Sequence, residues 1–164
     1  MATPLGHSIV GYAVARALGI RSRPGLALAM GAASLPDIDL LAGFVQNGDV
    51  LSLHHEVITH KRIFPFIVGA ATGIAVAGFS LLRGRRPNVK EVIRPAAVTT
   101  ALVGTHIVMD LLPLPYDKMP ARAGGVWEIA ATQSWNAVID MAIYGLLAVF
   151  ALERNGANGR PAQS

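Results

Sequence analysis

An all-α, multi-pass helical membrane bundle with a polar metal site near one end is the fold class this sequence predicts. Three observations predict it. Residues 63–82 form a run of 20 without a charge, and only 15% of the 164 residues are charged. Soluble domains carry about 25%. Mean hydropathy is positive, at +0.47. No stretch alternates apolar and polar residues with the period of a strand, and only helices or closed barrels satisfy every backbone group in lipid. At this length one domain is expected. It should span residues 1–153, with 154–164 a polar disordered tail.

Thr3-Pro4-Leu5-Gly6 reads as a turn-like lead, and no charged segment precedes it as in a cleavable signal peptide. Residues 7–20 follow as a helix, with Ile9, Val10, Ala13, Val14, Ala17 and Leu18 at helical spacing. At about 14 residues it is too short to span a bilayer, which takes about 20. Pro24 suits the first turn of a second helix over 25–35. Ala27, Ala29, Gly31, Ala32 and Ala33 allow close contact with a neighbouring helix. Pro36 interrupts that helix before Asp37 and Asp39, and residues 43–53 read as a loop with an Asn47-Gly48-Asp49 turn.

The segment 63–82 is long enough to cross a membrane, and Gly69 and Gly73 supply a GxxxG spacing for tight packing. Arg83-Gly84-Arg85-Arg86-Pro87 stops it, and 88–94 reads as a polar connection. Residues 95–112 form the next helix, ended by Pro113 and Pro115. Residues 116–135, with two tryptophans, suit the membrane interface. Residues 136–152 are the last apolar helix.

Charge distribution orients these elements. If the apolar segments run up and down, one end holds Arg21, Arg23, Arg83, Arg85, Arg86, Lys90, Arg94, Arg154 and Arg160, nine of the 14 basic residues. By the positive-inside tendency that end is cytoplasmic. The formal charge of +4 comes without an aromatic-interleaved basic patch, so no nucleic-acid partner is expected. Cysteine is absent, which excludes disulfides and thiolate metal sites. The opposite end collects His7, Asp37, Asp39, His54, His55, His60, His106, Asp110 and Asp140.

Imidazoles and carboxylates are the usual nitrogen and oxygen ligands of divalent metals. His106 and Asp110, at i and i+4, share one helix face and can serve one ion; the plain alternative is a polar pair at an exposed helix end. Ionisable groups inside an apolar segment are costly, which favours a functional role. His55 and His60 are about 140° apart on an ideal helix, so a loop must bring them together. In extended chain Asp37 and Asp39 would share a face, although aspartate also caps helices. His7 and Asp140 read alone as helix-terminal residues, and Glu56 as a general base or a solvated loop residue.

Taken in order, Gly6-His7, residues 35–39 (LPDID), His55 with Thr59-His60, and His106 with Asp110 resemble the YdjM-like family of membrane-bound, metal-dependent hydrolases. The likeness spans positions 6–110. It departs at Leu40, Glu56 and Lys61, where members often carry histidine, arginine and serine. The layout is also similar to zinc-dependent phospholipase C and zinc nucleases, helical enzymes that cleave phosphate esters. The resemblance implies metal ligands at His7, Asp37, Asp39, His55, His60, His106 and Asp110. Asp140 joins them through the shared end of the bundle, and Asp39 or Glu56 is the candidate base. The resulting expectation is a hydrolase of the bacterial inner (plasma) membrane. It would use a divalent metal, zinc first, to activate water against a phosphoester or lipid-type substrate. Membrane lipid and a small-molecule or lipid substrate are its expected partners. The alternative is a non-catalytic membrane protein that binds, senses or transports metal ions or protons.

Since the chain has no cysteine, single-cysteine variants report topology directly. A membrane-impermeant thiol reagent added to intact cells should label Asp49→Cys and leave Asn88→Cys untouched; the reverse pattern overturns the orientation.

Overall fold

The computed structural model describes residues 3–48, 52–53, 57–112 and 126–157, and among them every regular element is helical. Helix α1 (Pro4–Ala17) starts because the Thr3 hydroxyl accepts the Gly6 amide, with proline in the first turn. Helix α2 (Arg23–Ala33) starts the same way, Ser22 accepting from Gly25 ahead of Pro24. A 3₁₀ turn at Leu35–Asp37 bends the chain into α3 (Ile38–Asn47). A second 3₁₀ turn at Ile58–His60 leads to α4 (Phe64–Leu82), then α5 (Val89–Asp110) and α6 (Val126–Ala157).

Several boundaries depart from the sequence expectation. Helix α1 takes in Pro4–Gly6, expected as a turn-like lead, and ends at Ala17 instead of residue 20, ahead of Gly19 at φ 82°, while α2 starts and ends two residues earlier than the expected 25–35. Helix α3 continues through residues 43–47, and the αL residue that ends it is Gly48, at φ 69°. Helix α5 begins six residues before Pro95, since Asn88 caps the Lys90 amide and the charged residues of the supposed connection are its first turns. Helix α6 is one element of 32 residues, taking in 126–135 and continuing to Ala157. No proline falls in that span to stop it. Residues 154–157, expected to belong to the tail, are therefore helical; 158–164 lie outside the described residues.

Close helix approach sets the packing. Helix α1 lies against α2 and α6, α4 against α5, and α2 against α5. A Cβ on Gly11 would stand 2.6 Å from that of Ala33 and 2.8 Å from the Ala29 carbonyl, so α1 and α2 meet backbone to backbone. Gly69 and Gly73 both face α5, and a Cβ on Gly69 would meet the Thr100 hydroxyl and, at 2.9 Å, the Ala96 carbonyl. This is the small-residue contact by which helices associate where no hydrophobic force drives them together.

Burial is distributed as in a membrane protein. The interior of the described residues holds Ala15, Ala29, Ala33, Leu102 and Val103, but also Thr3, His7, Asp39, His106, Asn136 and Asp140. Large apolar side chains face outward, with Leu28 75%, Ile74 73% and Leu82 87% exposed. In water such a surface would be an aggregation hazard; in hydrocarbon it is the preferred one. Helices α4 and α5 are long and apolar enough to cross a membrane, and α2 with the 35–47 segment forms a broken pair bent by 59°. The chain is an all-α integral membrane bundle, and among the described residues it has two candidate spans, or three if the bent pair is one.

Replacing Gly69 with Leu should separate α4 from α5 and destabilise the bundle by about 1–3 kcal/mol. A lowered thermal transition in detergent checks it, with Gly78→Leu as the control because a Cβ there meets nothing within 4 Å.

Candidate metal centre

Four separate elements deliver the polar groups. His7 lies in the first half of α1, Asp37 ends the first 3₁₀ turn, His60 ends the second, and His106 and Asp110 occupy the last turns of α5. His7 and His106 are 1% and 0% exposed. Their rings stack with centroids 3.5 Å apart and planes inclined by 16°.

The Asp110 carboxylate sits among three imidazoles. Its Oδ1 is 3.5 Å from His7 Nε2, and its Oδ2 is 3.2 Å from His106 Nε2 and 3.7 Å from His60 Nε2. His106 Nε2 is also 3.5 Å from Asp37 Oδ1 and 3.2 Å from His60 Nε2. Two trios of ligand atoms therefore converge, His7–Asp37–His106 and His60–His106–Asp110, with His106 common to both.

Neighbouring groups fix which nitrogen points inward. His106 Nδ1 lies 2.9 Å from the Ala33 carbonyl, which can only accept, so Nδ1 carries a proton and in the neutral ring Nε2 holds the lone pair. Ala33 is the last residue of α2, so this bond also satisfies one of that helix's orphan carbonyls. His60 Nδ1 stands 2.8 Å from Asp39 Oδ2, an arrangement that again leaves the lone pair on Nε2. The Thr59 hydroxyl donates to the same oxygen at 3.3 Å. Two acceptor nitrogens and a carboxylate thus face one another, a mutually repulsive set unless a cation or proton lies between them. Both His7 ring nitrogens and both Asp110 oxygens are buried without a hydrogen-bond partner among the described residues.

This donor set fits a metal. Ligands arranged tetrahedrally about an ion at 2.0–2.2 Å lie about 3.3–3.6 Å from one another. The His60–His106–Asp110 trio has edges of 3.2, 3.2 and 3.7 Å. His60 and His106 each turn the other nitrogen to an orienting acceptor, as metal-bound histidines do.

Residues 1–117 match the model of the YdjM inner membrane protein family. The chain belongs to that family. No curated protein and no solved structure matches the chain. Membership of YdjM, with two or three candidate spans, makes this an integral protein of the inner membrane. The YdjM match stops short of α6, so Asp140 lies outside it.

The sequence-predicted residues divide as follows. His7, Asp37, His60, His106 and Asp110 come together. Asp39 stands behind His60 instead of among the converging atoms, because the 35–47 segment is helical here and residues two apart diverge. Asp37 occupies the N-cap of α3, yet its side chain makes no capping bond. His54, His55 and Glu56 lie outside the described residues.

Asp140 belongs to neither trio. Its Oδ2 accepts the Thr3 amide at 2.8 Å and a short bond from the Thr3 hydroxyl, and its carboxylate fills the place a Gly6 Cβ would take. It fixes the start of α1, one turn from His7. Thr3 and Thr59 were not expected to serve the site. The Thr3-Pro4 start signal of a helix could have marked Thr3, whereas nothing local marks Thr59 as a partner of Asp39.

Changing Asp140 to Ala should leave the buried Thr3 amide without its acceptor and cost about 1–3 kcal/mol. A lower melting temperature in detergent would register it; an unchanged one would show that α1 is held elsewhere.

Proposed function

We propose that the protein is a membrane-embedded, metal-dependent hydrolase acting on a phosphoester or lipid-type substrate. The single observation that supports it best is the meeting of two imidazole Nε2 atoms, each ring held from behind by an acceptor at Nδ1, with the Asp110 carboxylate at one point. His7, Asp37, His60, His106 and Asp110 would hold the ion or ions, and zinc suits a mixed nitrogen and oxygen set. When bound, a divalent metal brings the pKa of a water to near neutrality and polarises the scissile group.

The chain's own residues do the rest. Ala33 and Asp39 hold His106 and His60 with Nε2 presented inward. Asp110 supplies negative charge where the stacked imidazoles and a cation would otherwise repel. Asp39 is committed to His60 Nδ1 and the Thr59 hydroxyl, so its part is orientation; Glu56 is then the better candidate for accepting a proton.

The rival reading, a protein that moves or senses ions, needs ionisable groups spread through the membrane depth. Here His106 and Asp110 close α5, and their partners arrive from turns at the same end, an arrangement that favours a fixed site.

Metal analysis of the purified chain, paired with hydrolysis of a chromogenic phosphodiester, tests the proposal. The wild type should carry zinc or take it up, and lose hydrolysis on chelation. His106→Ala should lose both metal and turnover, while Asp39→Asn should weaken metal affinity by about 10–100-fold without abolishing binding. Failure of the wild type to take up any divalent metal would sink the proposal; metal binding without hydrolysis would transfer it to the sensing alternative.

A further inference from the structure

A second feature opens at the arginine-rich end. A cavity of about 290 Å³ runs between α2 and α5, walled by Leu28, Ala29, Ala32, Val98 and Leu102, with Arg94 among its lining residues. Ile20 and Gly25 also line it, so the α1–α2 turn and the start of α5 meet there. That turn carries Arg21 and Arg23. All three arginines are exposed, and none is in an ion pair among the described residues.

We propose that this groove binds one anionic phospholipid of the leaflet facing the arginine-rich end, its headgroup at Arg94 and the Arg21–Arg23 turn and one acyl chain along α5. The dimensions favour that occupant. From Arg94 to Leu102 the groove follows α5 for about 12 Å at 1.5 Å per residue, close to the roughly 15 Å of hydrocarbon in one leaflet. The walls along that length are apolar, as an acyl chain requires. Charge selects among lipids. Arg94 stands above an apolar wall, where its stem can lie along hydrocarbon while the guanidinium reaches the phosphate layer. A guanidinium matches a phosphate with paired N–H donors. The floor at Ala32 and Leu102 lies one residue from Ala33 and one turn from His106, so an occupied groove also braces the contact that orients His106.

Native mass spectrometry of the detergent-purified full chain tests this, with phosphatidylglycerol, phosphatidylethanolamine and phosphatidylcholine offered at equal concentration. One phosphatidylglycerol should be retained in preference to the zwitterionic lipids. Arg94→Gln, a change at an exposed side chain that the fold tolerates, should lower its apparent affinity about fivefold, the usual effect of one cation near an anionic surface. Val98→Phe, which fills the groove, should displace the lipid, while Arg85→Gln at the same end should change nothing. Equal retention of all three lipids, or wild-type binding by Arg94→Gln, overturns the site. So does phosphatidylglycerol binding that persists in a folded Val98→Phe, since headgroup attraction alone would then account for it. None of these outcomes depends on whether the chain hydrolyses anything.

Discussion

The arrangement that everything else serves is a buried carboxylate surrounded by imidazoles. Asp110 has ring nitrogens of His7, His60 and His106 within 3.2–3.7 Å, contributed by three elements far apart in sequence. Such a cluster is costly to assemble. Each polar group surrenders water on burial, and lone pairs that face one another repel. A bundle that tolerates it must hold the groups from behind. The Ala33 carbonyl, Asp39 with Thr59, and the Thr3–Asp140 lock are the supports.

The membrane explains why the supports take this form. A chain whose outer surface is hydrocarbon gains little by burying more of it, and the described core is accordingly small and rich in alanine. Helices are held by close approach at Gly11, Gly69 and Gly73 and by polar contacts at their ends. The Ser8 and Ser34 hydroxyls meet at 2.8 Å and Ser34 also donates to the Pro4 carbonyl, joining the start of α1 to the end of α2 beside the cluster. The broken α2–α3 segment belongs to the same logic. A continuous helix would have carried Asp37 and Asp39 past the site; the 3₁₀ turn places one carboxylate near His106 and the other behind His60.

Much of this was legible in the sequence. Uncharged runs and the missing period-2 alternation determined a helical membrane bundle, because lipid leaves the backbone few other solutions. The GxxxG spacing at Gly69 and Gly73 marked a closely packed helix face, and the structure sets that face against α5. The i, i+4 pair His106–Asp110 was readable because helical periodicity is local. The ordered histidines and aspartates pointed to the YdjM family. Helix ends were less legible. Residues 88–94, with Lys90 and Arg94, read as a polar connection because charge hides a helix end, and 116–135 as an interfacial stretch because of its two tryptophans, where 126–135 are in fact the start of α6.

Only the tertiary structure divided the polar residues by role. Asp37 and Asp39 are near-identical in sequence context, yet one approaches His106 and the other orients His60; that difference arises from a backbone bend set by packing. Asp140 shared the right end of the bundle but is engaged by Thr3, a pairing across 137 positions that no local pattern encodes. The Ala33 carbonyl became a partner of His106 because α2 ends beside α5. Sequence fixes which chemistry a side chain can offer and on which helix face; distance between elements, and hence which groups meet, is decided by how those helices come to lie against one another.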